Sequence, residues 1–90
     1  MMCVTPYPAE THEVRAKRAF VLVVTYIGGE QQLKARILRI PGVVRTELVY
    51  GPYDLIVEVE CGSFSDVREV VRQIRKLDLV RSTITLLVLD

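Results

Sequence analysis

Residues 19–27 read AFVLVVTYI, a run that is β-branched, aromatic and apolar on both of its faces. An amphipathic helix would show one apolar stripe, and a strand with one wet face would alternate with polar residues. This run does neither, so it reads as a central strand with both faces covered. Phe20, Leu22, Val24 and Tyr26 fall on one side, and Val21, Val23 and Ile27 on the other. A chain of 90 residues supplies a single domain with a single core. Covering both faces of such a strand is therefore the first demand on the fold.

The remaining segments follow from punctuation and periodicity. Gly28 and Gly29 end the strand. Residues 30–40, EQQLKARILRI, place Leu33, Ile37 and Ile40 at helical spacing until Pro41-Gly42 stops them. Residues 43–50 and 54–60 form two strands joined by a very short corner at Gly51-Pro52. In residues 63–77, Ser63 is placed as an N-cap with Asp66 in the first turn, and Phe64, Val67, Val70, Val71, Ile74 and Leu77 make one apolar face. Residues 80–90 form a last strand. The order is βαββαβ. RIPGVVRT (39–46) and RKLDLVRS (75–82) echo one another, each a helix end running into a strand. Two related halves of this kind build an α+β, ferredoxin-like sandwich: a four-stranded antiparallel sheet with two helices on one face. Residues 1–18, with two prolines and no steady period, are expected to be a loose, partly disordered arm, and residues 19–90 the folded domain.

In that architecture the second sheet face stays open, and this sequence supplies it with apolar side chains. Residues 82–89 add Ile84, Leu86 and Val88 on one side against Leu87 and Leu89 on the other. Burying ~600 Å² of apolar surface at ~25 cal/mol per Å² is on the order of 15 kcal/mol before association costs. The chain is expected to cover the face by pairing with itself, at least as a homodimer.

Charge and chemistry exclude several classes. Twelve Lys and Arg against eleven Asp and Glu leave a net charge of +1, so no electrostatic footprint for nucleic acid or an anionic membrane is present. The basic cluster before the apolar run lacks a small-x-small cleavage site, and the run is too short to span a bilayer. Cys3 and Cys61 have no metal spacing; a disulfide between them is one reading, and two free thiols of a reducing cytoplasm are the expected one. The single histidine, His12, lies in the arm, so no Ser–His or Cys–His pair can be set on a rigid scaffold. Glu58 and Glu60 fall on one strand face as solvated or partner-paired charges. Neither a metal site nor a phosphate loop nor any cofactor is indicated.

The corner VYGPYDLIVEV is the one unexplained motif. A turn needs neither the ring of Tyr53 nor the charge of Asp54. Taken alone, Asp54 reads as a side-chain cap of the corner and Tyr53 as a lid over the hairpin. However, this segment resembles the Gly-x-Tyr-Asp hairpin of the Lrp/AsnC (leucine-responsive and asparagine-operon type) regulators. VRSTITLLVL resembles their final strand and IPGVV the turn after their first helix. The resemblance covers residues 19–90, the effector-binding or RAM domain of that family. It implies a βαββαβ module that dimerises through its sheets, often assembles into rings of dimers, and binds amino-acid effectors between dimers. Carried over, Gly51, Tyr53 and Asp54 line the loop side of the pocket, and Ser82, Thr83 and Thr85 lie on or near the strand side. A carboxylate suits an α-ammonium group, and hydroxyls suit an α-carboxylate.

Full-length members carry an N-terminal helix-turn-helix, for which eighteen residues are too few, so a stand-alone module without direct DNA binding is expected. It would act alone or through mixed oligomers with full-length relatives. The alternatives are an enzyme of the dimeric α+β barrel kind and a purely structural oligomer.

Overall fold

The computed structural model describes residues 16–89. Most of the expected arm, with Cys3 and His12, lies outside the described residues. The elements are β1 (Lys17–Thr25), α1 (Glu30–Ile37), β2 (Val43–Leu48), β3 (Leu55–Cys61), α2 (Phe64–Arg75) and β4 (Val80–Leu87). The strands form one sheet in the order β2-β3-β1-β4, antiparallel throughout. This is the ferredoxin-like arrangement that the βαββαβ order calls for.

The core lies between one sheet face and the two helices. Val21 and Val23 of β1 and Leu55, Val57 and Val59 of β3 pack with Leu33 and Ile37 of α1 and Val67, Val70 and Ile74 of α2, all essentially inaccessible. The α2 face matches its sequence period, and Ser63 caps the helix by accepting the Asp66 N–H at 3.2 Å. α1 is shorter than the pattern suggests. After Ile37 the chain tightens into i→i−3 bonds, Arg39 N–H to the Arg36 carbonyl and Ile40 N–H to that of Ile37, ahead of Pro41.

Two further expectations are corrected. β1 ends at Thr25, so Tyr26 and Ile27 are not strand residues, and both are exposed. Tyr26 N–H still reaches the Leu79 carbonyl at 3.1 Å, and the bond from Gly29 N–H back to the Tyr26 carbonyl at 3.2 Å then turns the chain out of the sheet. Cys61, buried at the end of β3, is disulfide-bonded rather than a free thiol.

Cross-strand partners share a face, so the register fixes the composition of the open side. Leu22 pairs with Ile56 and Ile84, and Phe20 with Glu58 and Leu86. Along β1 and β4 this face is apolar, with Ile84 and Leu86 about half exposed in the single chain. Toward β2 it is charged. Glu58 accepts from Arg18 at 3.2 Å and from Arg45 at 3.3 Å, and the Arg18 guanidinium stacks 5.6 Å from the Phe20 ring centroid. Glu58 and Glu60 do share a face, and arginines neutralise them there: Arg18 Nε also lies 3.6 Å from Glu60.

Candidate functional site

The corner between β2 and β3 is built on backbone constraints. Gly51 takes a φ of +132°, a conformation that L side chains rarely adopt, and Pro52 fixes its own φ beside it. Val49 N–H then bonds the Asp54 carbonyl at 2.9 Å and closes the hairpin. Asp54 N–H bonds the Val23 carbonyl at 2.9 Å, tying the corner to β1.

The side chain of Asp54 reaches further along the same strand. Its Oδ2 accepts the Thr25 backbone N–H at 2.8 Å and lies 3.5 Å from the Thr25 hydroxyl. This is a cap, yet not of its own turn: it holds the last amide of the neighbouring strand. The amide faces β3, whose ladder with β1 ends at the Val23–Leu55 pair, so no strand residue is left to accept from it; on the other side of β1 the register with β4 shifts at the same place. Val24 pairs with Ser82 but Thr25 with Val80, leaving Arg81 as an extra residue in β4. Asp54 and Tyr53 are half-buried, while Gly51 and Pro52 are exposed.

Of the strand-side residues, Ser82 comes to the same end of the sheet as the corner. One strand separates them, roughly 10 Å at ordinary strand spacing. Ser82 pairs with Val24 and so faces the open side of the sheet. Thr83 and Thr85 pair with Val23 and Val21 and face the helices. Thr85 lies farther along β4, in a groove against α2 that it lines with Phe64, Val67 and Leu87. The corner and Ser82 are brought together; Thr85 is carried away from them, and Ser82 does not share a face with the two threonines.

Among the described residues no group of three or more His, Cys, Asp or Glu could hold a metal ion, and no helix is long and apolar enough to cross a membrane.

The family profile described as the Lrp/AsnC ligand binding domain matches residues 18–90. The chain belongs to the Lrp/AsnC ligand-binding domain family. Among solved structures, this Lrp/AsnC domain is similar to TTHA0845 from Thermus thermophilus, at 35% identity over 82% of this chain and 94% of that one, with a TM-score of 0.79. It is similar as well to the hypothetical protein PHS023 from Pyrococcus horikoshii, at 35% identity over 81% and 89% of the two chains, TM-score 0.75. For FFRP-DM1 the identity is 35% over 81% and 99%, TM-score 0.76. AsnC of E. coli, at 20% identity over 97% of this chain and 62% of its own, shares the fold with a TM-score of 0.78. No curated protein matches.

One residue of the Lrp/AsnC domain's corner escaped sequence reasoning. Thr25 interrupts an aliphatic run, and that was the available signal. Its partner is 29 residues away, so only the fold reveals what the interruption is for.

Proposed function

We propose that this Lrp/AsnC domain senses an amino acid or a related small effector. In this reading it pairs with a second copy through its open sheet face, and the Gly51–Asp54 corner contributes to an effector site where dimers meet. The observation that carries the reading is the immobilised carboxylate of Asp54. Oδ2 is held by Thr25 N–H at 2.8 Å, and Oδ1 accepts no hydrogen bond among the described residues. A carboxylate fixed by one oxygen presents the other at a defined position, as recognition of an α-ammonium group requires. Ser82, at the same end of the sheet, supplies a hydroxyl suited to an α-carboxylate. Thr83 and Thr85 belong to this site only if a neighbouring copy brings the helix side of its own β4 to the corner.

The apolar half of the open face supports the pairing, since Leu22, Ile84 and Leu86 form a continuous row across β1 and β4. An amino acid is the effector class that this chemistry fits. NMB0573 from Neisseria meningitidis, which shares the fold at 17% identity, is described in complex with L-Met. The domain acts by binding rather than catalysis, and with a net charge of +1 it reaches transcription through regulators of its own family rather than by gripping nucleic acid itself.

A melting screen against the twenty amino acids tests the effector. A ligand present at a hundred times its Kd stabilises the folded state by about 2.7 kcal/mol. One or a few amino acids are expected to raise the melting temperature. No shift with any of them, from a properly assembled protein, would contradict the proposal.

A further inference from the structure

Charge is unevenly placed along α2. Asp66 sits in the first turn and Glu69 one turn on, and no acid follows in the helix. Arg68, Arg72 and Arg75 are exposed, as is Lys76 at the C-cap. They stand at i, i+4, i+7 and i+8, so they form one stripe along a flank of the helix. Val67, Val70 and Ile74 take the other side, buried against the sheet.

The stripe keeps most of its charge. Glu69 engages Arg72 at 2.8 Å, and the next acid along the chain, Asp78, engages Arg36 at 3.3 Å. Among the described residues no carboxylate pairs with Arg68, Arg75 or Lys76. The four cations surround a surface depression of about 430 Å³, and the half-buried Val71 is its one apolar lining residue. Both helices cover the sheet face opposite the open one, so pairing through the open face leaves their outer surfaces in solvent.

We infer that this flank of α2 docks an acidic amphipathic helix of a partner protein. Arg68 and Arg75 are one heptad apart, about 10 Å along the axis, which is the separation of carboxylates two turns apart on a helix lying alongside. Apolar residues of the partner helix, midway between its acids, would rest on Val71 and on the aliphatic stems of the arginines. Charge decides against a second copy of this chain as the occupant. α2 against α2 would oppose two cationic stripes, and α1 with the turn after it offers Lys34, Arg36 and Arg39 against the single acid Glu30. A nucleic-acid backbone would meet the cations but leave the apolar centre of the stripe uncovered, and a net charge of +1 gives it little general attraction.

Fluorescence anisotropy on the assembled protein tests this with a labelled peptide, Glu-Ala-Gln-Leu-Leu-Ala-Gln-Glu-Ala-Gln-Leu-Leu-Ala-Gln-Glu. We expect saturable binding that weakens with salt and shifts the amide resonances of residues 68–76. Binding should fall about tenfold or more when Lys replaces Glu in the peptide, and likewise in Arg75→Glu, whose exposed site leaves the fold intact by circular dichroism. Arg39→Glu, the same charge change at an exposed site outside the stripe, should bind as the parent does. Equal binding of the Glu and Lys peptides, no binding of either, an equal loss in Arg39→Glu and Arg75→Glu, or a duplex oligonucleotide displacing the peptide would overturn the inference. Amino-acid stabilisation is read separately in the melting screen, so this test fails or succeeds independently of the effector proposal.

Discussion

The carboxylate of Asp54 reaches from the hairpin corner to the final amide of β1, so removing it exposes a strand end as well as altering a turn. Asp54→Ala leaves the Thr25 N–H without its charged acceptor and is expected to cost about 1.5–3 kcal/mol in denaturant unfolding. Asp54→Asn retains an acceptor oxygen and should lose less than half of that. Equal losses would mean that the charge, not the hydrogen bond, holds the strand end. At Gly51 a Cβ would meet nothing within 4 Å, yet the φ of +132° remains unsuited to a side chain. Gly51→Ala should therefore destabilise by about 1–3 kcal/mol through backbone strain alone, and an unchanged midpoint would show that the corner relaxes at no cost. The Gly-Pro turn was legible because φ requirements are local. Asp54's target was not, being set by tertiary contact with Thr25. The separation of Ser82 from Thr83 and Thr85 was legible in principle, since strand side chains alternate, but the motif grouped residues that the pleat divides.

Among the elements, α2 conforms most fully to its sequence, because capping and a 3.6-residue period are both local signals. Its stability also depends on pH. The hydrogen bonds from Arg72 and then Gln73 hold Glu69 below its ordinary value of 4.5. A lowered folded-state value means the contribution is present above the unfolded value and is lost as pH falls through the folded one. The pair lies at the surface, with Arg72 exposed and Glu69 half-buried, so solvent screening keeps the effect small. Glu69→Gln should accordingly be measurable only as a slight reduction of melting temperature at neutral pH that fades as the pH falls below 4.5 and through the lowered folded-state value; a difference persisting in stronger acid would point to helix propensity instead. β1 departs from its sequence pattern at both ends. Lys17 and Arg18 belong to the strand despite their charge, because Arg18 finds Glu58 and Glu60 on β3. Tyr26 and Ile27 leave it despite their β propensity, because β3 stops opposite Val23 and offers them no partner, and the Gly29–Tyr26 turn follows. Pairing with a neighbour outweighs intrinsic preference in both cases.

At the scale of the whole molecule, the order of elements sufficed for the topology, since a βαββαβ chain with apolar faces has few ways to close. The open face was only half legible. Its apolar half follows from β1 and β4, while the Arg18–Glu58–Arg45 cluster depends on register across three strands. The central claim is the proposed one, that effector binding belongs to the assembly, with the corner of one copy completed by another. Ile84→Arg tests it most directly, as Ile84 lies on the open face and is half exposed in the single chain, so the fold tolerates the change. Light scattering at micromolar concentration, combined with melting in the presence of the amino acid found by the screen, gives both readouts on one sample. The account predicts that the parent is at least a dimer and gains about 2.7 kcal/mol at a hundred times Kd, while Ile84→Arg is a folded monomer with no gain. A monomeric Ile84→Arg protein that the amino acid stabilises as much as the parent would contradict it.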